Sequence, residues 1–352
     1  MTRPGLRFGR LPSGPTASIV DVPGVGVGHA TVWRDEPEPP IGRGVARTGV
    51  TVVLPNDNPY RRPLPAGGAI LNGAGECTGF LGAGEWGLLE SPIFLTSTMQ
   101  LGRVYDAACQ LMLDIDPDIA EDVVIPLVAE CDDSHLSDVR RMQVSQDDVL
   151  RAYAAAVASA AAPTRPDLGA VGAGTGMTCF DFKGGIGTAS RVVTGGFTVG
   201  ILLLTNFGSR HRLTVAGVNV GERLPLPAAT PTPPDAGSCI GIVLTDAPVD
   251  AAGCARLARR VGLGLARTGS VATHGSGEIF VAASTVLAAP RGERSPQTPL
   301  HGSAHDELFE AVVEASEEAV ISSILDSPTV IGRGGHLVPG LTSTLLRHAM
   351  EG

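Results

Sequence analysis

The sequence predicts a layered α/β sandwich, because short apolar runs alternate with longer segments of helical character. The strand-like runs are bounded by Gly, Pro or Asn, as buried strands are. They are Gly49–Leu54, Ile93–Thr96, Val123–Val128, Val199–Asn206, Ser238–Thr245 and Glu278–Ala283. Strands that are buried on both faces need helices to cover them. The pattern therefore favours sheets that lie between helical layers.

Four segments predict the helices of these layers, namely Leu101–Leu113, Asp147–Ala161, Ala251–Leu265 and Asp306–Leu325. Ser145 and Asp148 make an approximate capping box at the start of the second helix. Asp250 is the expected N-cap of the third, because its carboxylate can accept from free backbone N–H groups. The fourth carries its apolar residues on roughly one stripe, so one face of it is expected to be buried.

Composition predicts a soluble cytoplasmic enzyme and argues against several classes of partner. The 352 residues are 43% hydrophobic and 18% charged, which is enough for one large α/β domain over residues 1–352. The net charge is −10 and there is no basic block, so nucleic-acid binding is not expected. The six cysteines form no C-x-x-C pair or zinc spacing, which predicts no metal site and a reducing compartment. Neither a signal peptide nor a membrane span is expected.

A glycine motif raises the question of a cofactor. The segment GAGEWG at Gly82–Gly87 matches G-x-G-x-x-G, but LLESPIFL follows it and does not read as the helix that a dinucleotide site needs. We therefore expect no cofactor. The glycines are interpreted as serving tight turns and close backbone packing.

A proline-rich segment precedes a serine at the start of a predicted strand. Residues 225–236 read PLPAATPTPPDA and predict an exposed, extended linker that leads to Gly237 and Ser238. An ordinary interdomain linker has the same composition. The alternative is a precursor loop that is cut at its end.

A serine at a chain terminus can act as its own catalytic pair, because its α-amine takes the proton of its hydroxyl. This requires the preceding peptide bond to be cut first. Gly237 suits that step, since it has no Cβ to obstruct the attack of Ser238 on the preceding carbonyl. No G-x-S-x-G elbow or H-E-x-x-H motif offers a rival site. Cys239 follows Ser238 but points to the opposite face of the strand, so we expect it in the core.

Several sequence blocks resemble the L-aminopeptidase D-esterase/amidase family, which includes the β-peptidyl aminopeptidases. They are LNGAGECTGF at Leu71–Phe80, LTSTMQLGRVYDA at Leu95–Ala107, GAGTGMTCFDFKGGIGTASR at Gly172–Arg191, TNFGSR at Thr205–Arg210, GS at Gly237–Ser238 and HGSGEIFVA at His274–Ala282. The resemblance implies a four-layer αββα sandwich. It also implies self-cleavage into an α chain (1–237) and a β chain (238–352), and a homotetramer of α–β heterodimers.

The resemblance assigns roles to individual residues. Ser238 matches the nucleophile, Ser276 and Glu278 match a second serine and its acid, and Asn206 matches the side-chain oxyanion donor. Glu130 matches the acid that holds the free amine of the substrate, which is a short peptide, amide or ester. Asp132 and Gly275 are placed with it in the substrate-binding region.

Asp132 departs from the family pattern, which usually has an aromatic residue there. The extra carboxylate predicts either a more cationic substrate or a wider pocket, so an amidase acting on a secondary-metabolite or pantetheine-type amide stays open. A second alternative is an unprocessed, non-catalytic paralogue.

Overall fold

Two main β-sheets pack face to face in the computed structural model, which describes residues 6–224, 237–325 and 327–351. The expected linker at 225–236 lies outside the described residues. The strands of the two sheets are β1 (Gly26–Asp35), β2 (Val45–Leu54), β3 (Leu64–Gly73), β4 (Leu88–Leu89), β5 (Ile93–Ser97), β6 (Leu127–Cys131), β7 (Gly185–Val192), β8 (Thr198–Asn206), β9 (Ser238–Thr245) and β10 (Gly277–Ser284).

The smaller sheet has the order β1-β2-β5-β6, and the larger has the order β4-β3-β10-β9-β8-β7. In the larger sheet, β9 runs antiparallel to β8 and parallel to β10. The α-helices of the described chain are α1 (Phe80–Glu85), α2 (Leu101–Ile115), α3 (Gln146–Ala161), α4 (Ala251–Arg267), α5 (Asp306–Ile324) and α6 (Ser343–Glu351).

Three apolar clusters show the layering. One cluster fills the space between the sheets, where Leu95 and Ala129 of the smaller sheet meet Leu204 and Ile240 of the larger. A second joins α4 and α5 to the outer face of the larger sheet, and a third joins α2 and α3 to the outer face of the smaller one. The order is therefore helix, sheet, sheet, helix, which confirms the predicted αββα sandwich.

The predicted helices are confirmed within two residues at each end. Ser145 and Asp148 form the capping box of α3, and the Asp250 carboxylate accepts from the N–H of Gly253 at the start of α4. Within the described ranges, no helix is long and apolar enough to cross a membrane.

The predicted strand Val123–Val128 is wrong at its beginning. The strand β6 starts at Leu127, and the side chains of Val123 and Ile125 are exposed. Pro126 cannot donate a ladder hydrogen bond, so the chain joins the sheet only after it. The strand also continues beyond the predicted end at Val128, so that Glu130 and Cys131 belong to β6.

Candidate active site

Ser238 is the first residue of β9, and the sheet places it between two site residues. Its register partners are Asn206 on β8 and Gly277 on β10. Ser238 shares the face of Ile240, and Asn206 shares the face of Leu204, and both of those residues lie in the cluster between the sheets. The hydroxyl and the amide therefore project toward the space between the sheets, at one end of it.

The carbonyl of Gly237, which would be the scissile carbonyl, already has a hydrogen-bond donor. The backbone N–H of Gly277 donates to its oxygen at 2.9 Å. A Cβ at position 237 would lie 2.5 Å from the carbonyl oxygen of Asn206 and 2.8 Å from Cα of Phe207. Glycine is thus the residue that fits here, and its carbonyl is polarised from the β10 side.

The amide of Asn206 is held at both of its ends. Its Oδ1 accepts from the N–H of Thr178 at 2.8 Å, and its Nδ2 donates to the carbonyl of Asp132 at 2.8 Å. These two bonds orient the amide, because a flip would bring two donors together at one end and two acceptors together at the other. Neither of these bonds uses the second hydrogen of Nδ2.

Ser276 and Glu278 lie together on the β10 side of Ser238, and both are buried. The hydroxyl of Ser276 donates to Oε1 of Glu278. Burial raises the pKa of Glu278, and the hydrogen bond from Ser276 opposes the rise. The structure thus brings this predicted pair into direct contact, next to the register partner of Ser238.

Asn72 holds the turn that precedes Ser276. Its Nδ2 lies 2.9 Å from the carbonyl oxygen of Thr273, 3.2 Å from that of His274 and 2.6 Å from that of Ser276. Sequence reasoning missed Asn72 as a site residue, although it lies in the matched block Leu71–Phe80. Its position in that block was the available signal.

Glu130, at the end of β6, is buried and accepts two hydrogen bonds. Oε1 accepts from the N–H of Glu76 at 2.8 Å, and Oε2 accepts from the hydroxyl of Thr98. Burial raises the pKa of Glu130, the two hydrogen bonds oppose this, and the charges of Asp132 and Glu76 add to the rise. The carboxylate is therefore fixed in place in a negatively charged environment.

Asp132 and Gly275, the other two residues predicted for the substrate-binding region, lie next to residues of the site. The carboxylate of Asp132 accepts from the N–H of Ser134 at 2.9 Å and from its hydroxyl at 2.8 Å. Asp132 reaches the site through its backbone carbonyl, which holds Asn206. Gly275 lies exposed in the turn before Ser276. The neighbouring glycine, Gly277, supplies the N–H group that contacts the Gly237 carbonyl.

Cys239 and the G-x-G-x-x-G segment, to which the sequence analysis gave no catalytic or cofactor role, have defined places in the fold. Cys239 is fully buried in the cluster under α4 and α5, and burial raises its pKa far above the usual range, which confirms its place in the core. Residues 82–85 of the G-x-G-x-x-G segment lie in the short helix α1, and Trp86 and Gly87 follow the end of that helix. In the described part of the chain, no cluster of His, Cys, Asp and Glu side chains is arranged to hold a metal ion.

Two packed sheets between helical layers, with a serine at the start of a central strand, are the arrangement of an N-terminal-nucleophile hydrolase. The chain belongs to peptidase family S58, whose family model matches residues 17–338, and it is a serine aminopeptidase or amidase.

Relatives of known name and structure cover nearly the whole chain. The β-peptidyl aminopeptidase BapA of Sphingosinicella microcystinivorans is 37% identical over 366 residues, which span 99% of this chain and 90% of that protein. A β-aminopeptidase structure from a Burkholderia species has a TM-score of 0.85 at 38% identity, covering 99% of this chain and 97% of that one.

A third relative is the L-aminopeptidase D-Ala-esterase/amidase of Ochrobactrum anthropi, described as a prototype for the serine aminopeptidases and a new variant of the N-terminal-nucleophile fold. Its structure has a TM-score of 0.88 at 34% identity, covering 99% of this chain and 96% of that one. The resemblance that was identified from the sequence blocks is thereby confirmed.

Proposed function

We propose that the chain cleaves itself between Gly237 and Ser238, and that Ser238 then removes N-terminal residues from short peptides, amides or esters. The observation that carries the proposal is the hydrogen bond from the Gly277 N–H to the Gly237 carbonyl oxygen, directly beside Ser238. A donor aimed at the oxygen of an amide stabilises the negative charge that develops there when a nucleophile attacks.

Self-cleavage follows from this arrangement in two steps. The Oγ of Ser238 attacks the carbonyl carbon of Gly237, an ester bond forms, and the bond between that carbon and the Ser238 nitrogen breaks. The hydroxyl proton moves to that nitrogen. Water then hydrolyses the ester, which leaves a carboxylate on Gly237 and a free α-amine on Ser238. The products are an α chain, 1–237, and a β chain, 238–352, of what had been a single domain.

In turnover, the new α-amine of Ser238 takes the proton from its own hydroxyl as Oγ attacks the substrate carbonyl. The oxyanion is stabilised by the N–H of Gly277 and by the second Nδ2 hydrogen of Asn206. The proton passes to the leaving amine, and water later releases the acyl group. Because the Ser276 hydroxyl donates to Glu278, its oxygen is available to accept from the Ser238 amine and orient it.

Glu130 selects substrates that carry a free ammonium group, because its charge is buried and fixed by two donors. A charge-assisted hydrogen bond to such a group is roughly twice as strong as a neutral one. The names of the relatives extend the substrate class to N-terminal L-residues and β-residues. We also propose that the α–β heterodimers assemble into a homotetramer and that the enzyme is cytoplasmic, where its six unpaired cysteines would stay reduced.

Intact-mass spectrometry of freshly purified protein tests the proposal. Wild type should give two species, about two thirds and one third of the 36.0 kDa chain, with the smaller beginning at Ser238. Ser238→Ala should stay in one piece and turn over no aminoacyl p-nitroanilide, while Cys239→Ala, the matched control one residue away, should still be cleaved. An N-acetylated substrate should not be hydrolysed. Cleavage of Ser238→Ala, or an uncut wild type without turnover, contradicts the proposal.

A further inference from the structure

Lys183 is the only lysine of the chain, and it is completely buried. Its Nζ donates to three backbone carbonyl oxygens, those of Gly174 at 2.9 Å, Met177 at 2.6 Å and Gly184 at 2.6 Å. An ammonium group has three donors and no acceptor, so the three carbonyls use all of its hydrogen-bonding capacity. The three acceptors lie in the segment 174–184, so the side chain links both ends of this segment from its buried side.

One of these carbonyls belongs to the peptide unit that orients Asn206. The oxygen of Met177 accepts from Nζ of Lys183 and, at 3.1 Å, from the N–H of Gly184. A peptide unit is planar, so the orientation of its carbonyl fixes the orientation of its N–H. The N–H on the other side of this unit is that of Thr178, which donates to Oδ1 of Asn206 at 2.8 Å.

Burying a charged group costs free energy unless hydrogen bonds or an opposite charge compensate for the lost hydration. Burial lowers the pKa of Lys183 to about 7, and its interactions with Cys179 and Asp133 oppose that shift. The hydrogen bonds of Lys183 go to backbone carbonyls and not to Gly237 or Ser238. Lys183 contacts the peptide unit whose N–H orients the amide of Asn206. If that amide were rotated, its second N–H would point away from the substrate oxygen.

We propose that Lys183 is a positioning residue for the oxyanion donor, acting through the Met177–Thr178 peptide unit on the amide of Asn206. This inference rests on the proposed function, in which Asn206 donates to the developing oxyanion. It assigns to a buried lysine a role in the rate of the reaction, beyond the stability of its loop.

A double-mutant cycle between Lys183→Met and Asn206→Ala tests this, with an aminoacyl p-nitroanilide as substrate and activity expressed per Ser238 N-terminus. Loss of an oxyanion donor costs about 10²–10³ in kcat. Lys183→Met should lower kcat at least about 10-fold with little change in KM. In the Asn206→Ala background the same substitution should change kcat less than about twofold, because its target is gone.

Arg191→Met is the matched control, since Arg191 is also a buried cation but its partners, including Glu314 and Glu318, lie outside the site. It should lower stability and leave kcat within about twofold. Equal loss of kcat from Lys183→Met in both backgrounds, or no loss in the wild-type background, overturns the inference. If Asn206→Ala alone leaves kcat unchanged, the role of Asn206 in the proposed function fails instead.

Two further measurements cover a variant that folds or matures poorly. Lys183→Gln keeps two donors on a shorter side chain, so it should fold more readily and give an intermediate loss of kcat that also vanishes in Asn206→Ala. For any variant that cleaves itself slowly, the same cycle is applied to the first-order rate of self-cleavage. Additive effects on that rate count against the inference.

Discussion

Asn206 and Ser238 are direct register partners on the antiparallel strands β8 and β9. Directly opposed residues on such strands place their side chains on one face, with Cβ atoms about 4.5–5.5 Å apart. The sheet therefore places the proposed nucleophile and oxyanion donor side by side, and the N–H of Thr178 and the carbonyl of Asp132 orient the amide. Gly277, the partner of Ser238 on the other side, completes the arrangement with a backbone N–H.

Gly237→Ala should slow self-cleavage without impairing the mature enzyme. The added Cβ would lie 2.5 Å from the carbonyl oxygen of Asn206, so the chain must shift and the scissile carbonyl must move from the Gly277 N–H. We expect a first-order cleavage rate at least about 10-fold lower, consistent with partial loss of one oxyanion donor. Electrophoresis of a time course after refolding measures it.

The mature enzyme provides the second half of this test. After cleavage, residue 237 is no longer bonded to Ser238, so the fully cleaved variant should show a kcat within about twofold of wild type. Gly82→Ala is the control, because nothing lies within 4 Å of a Cβ at that position. A variant cleaved at the wild-type rate would show that the close approach at Gly237 does not limit the reaction.

Glu130→Gln should weaken the binding of substrates through their amine and change the acid side of the pH profile. The charge-assisted bond contributes about 1.5–3 kcal/mol, so kcat/KM should fall roughly 10- to 100-fold, mainly through KM. Glu130 binds an ammonium group only when ionised. Burial raises the pKa of Glu130. As the pH falls, wild-type kcat/KM should therefore begin to decline at a higher pH than the titration of an ordinary glutamate would give.

A pH profile of kcat/KM from pH 5 to pH 9 measures this effect. In Glu130→Gln the decline should shift to lower pH, since the titrating group is gone. The other candidates for the acid limb are Glu278, whose pKa is also raised by burial, and the α-amine of Ser238, which must be unprotonated to act as the base. An unchanged limb in Glu130→Gln would assign it to one of these two groups and count against amine binding by Glu130.

The sequence predicted three of the six strands of the larger sheet, namely β8, β9 and β10. It missed the glycine-containing strands β3 and β7 of that sheet and β1 of the smaller sheet, and packing explains the difference for β7 and β1. In β7, a Cβ at Gly187 would lie 1.9 Å from the carbonyl oxygen of Ala319 on α5. In β1, a Cβ at Gly28 would lie 2.1 Å from the carbonyl oxygen of Ala152 on α3. Glycine allows helix and strand to approach closely, but it removes the apolar run from which a strand is predicted.

The same distinction applies to the site. Ser276 and Glu278 were predicted only through the sequence blocks that resemble the family, whereas Gly237 and Ser238 also stood out by their place after the proline-rich segment. Gly277 and Thr178 act through backbone N–H groups, whose direction depends on the fold and not on the residue type. That the carboxylate of Asp132 changes the pocket stays a prediction. Its hydrogen bonds to Ser134 depend on a local turn that one sequence cannot show.

Asp133 should make the folded protein less stable as the pH rises from about 4 to about 7. Its carboxylate is buried, and the hydroxyl groups of Thr48 and Ser97 beside it only partly offset the cost of burying its charge. Burial raises its pKa to about 7, whereas an unfolded Asp titrates near 3.9. The folded state therefore holds the proton more tightly, and the stability that this provides at low pH is lost as the pH rises through the folded pKa.

Asp133→Asn removes this titration, so its advantage over the parent protein should be larger at pH 8 than at pH 5. One proton contributes about 1.4 kcal/mol per pH unit, so the advantage should grow by about 2–3 kcal/mol between these two pH values. Urea unfolding in the Ser238→Ala background, where the chain is expected to stay whole, measures it. Asp106→Asn, exposed on α2, controls for the loss of one negative charge. An advantage that is equal at both pH values would mean that Asp133 is ionised throughout, balanced by the ammonium group of Lys183.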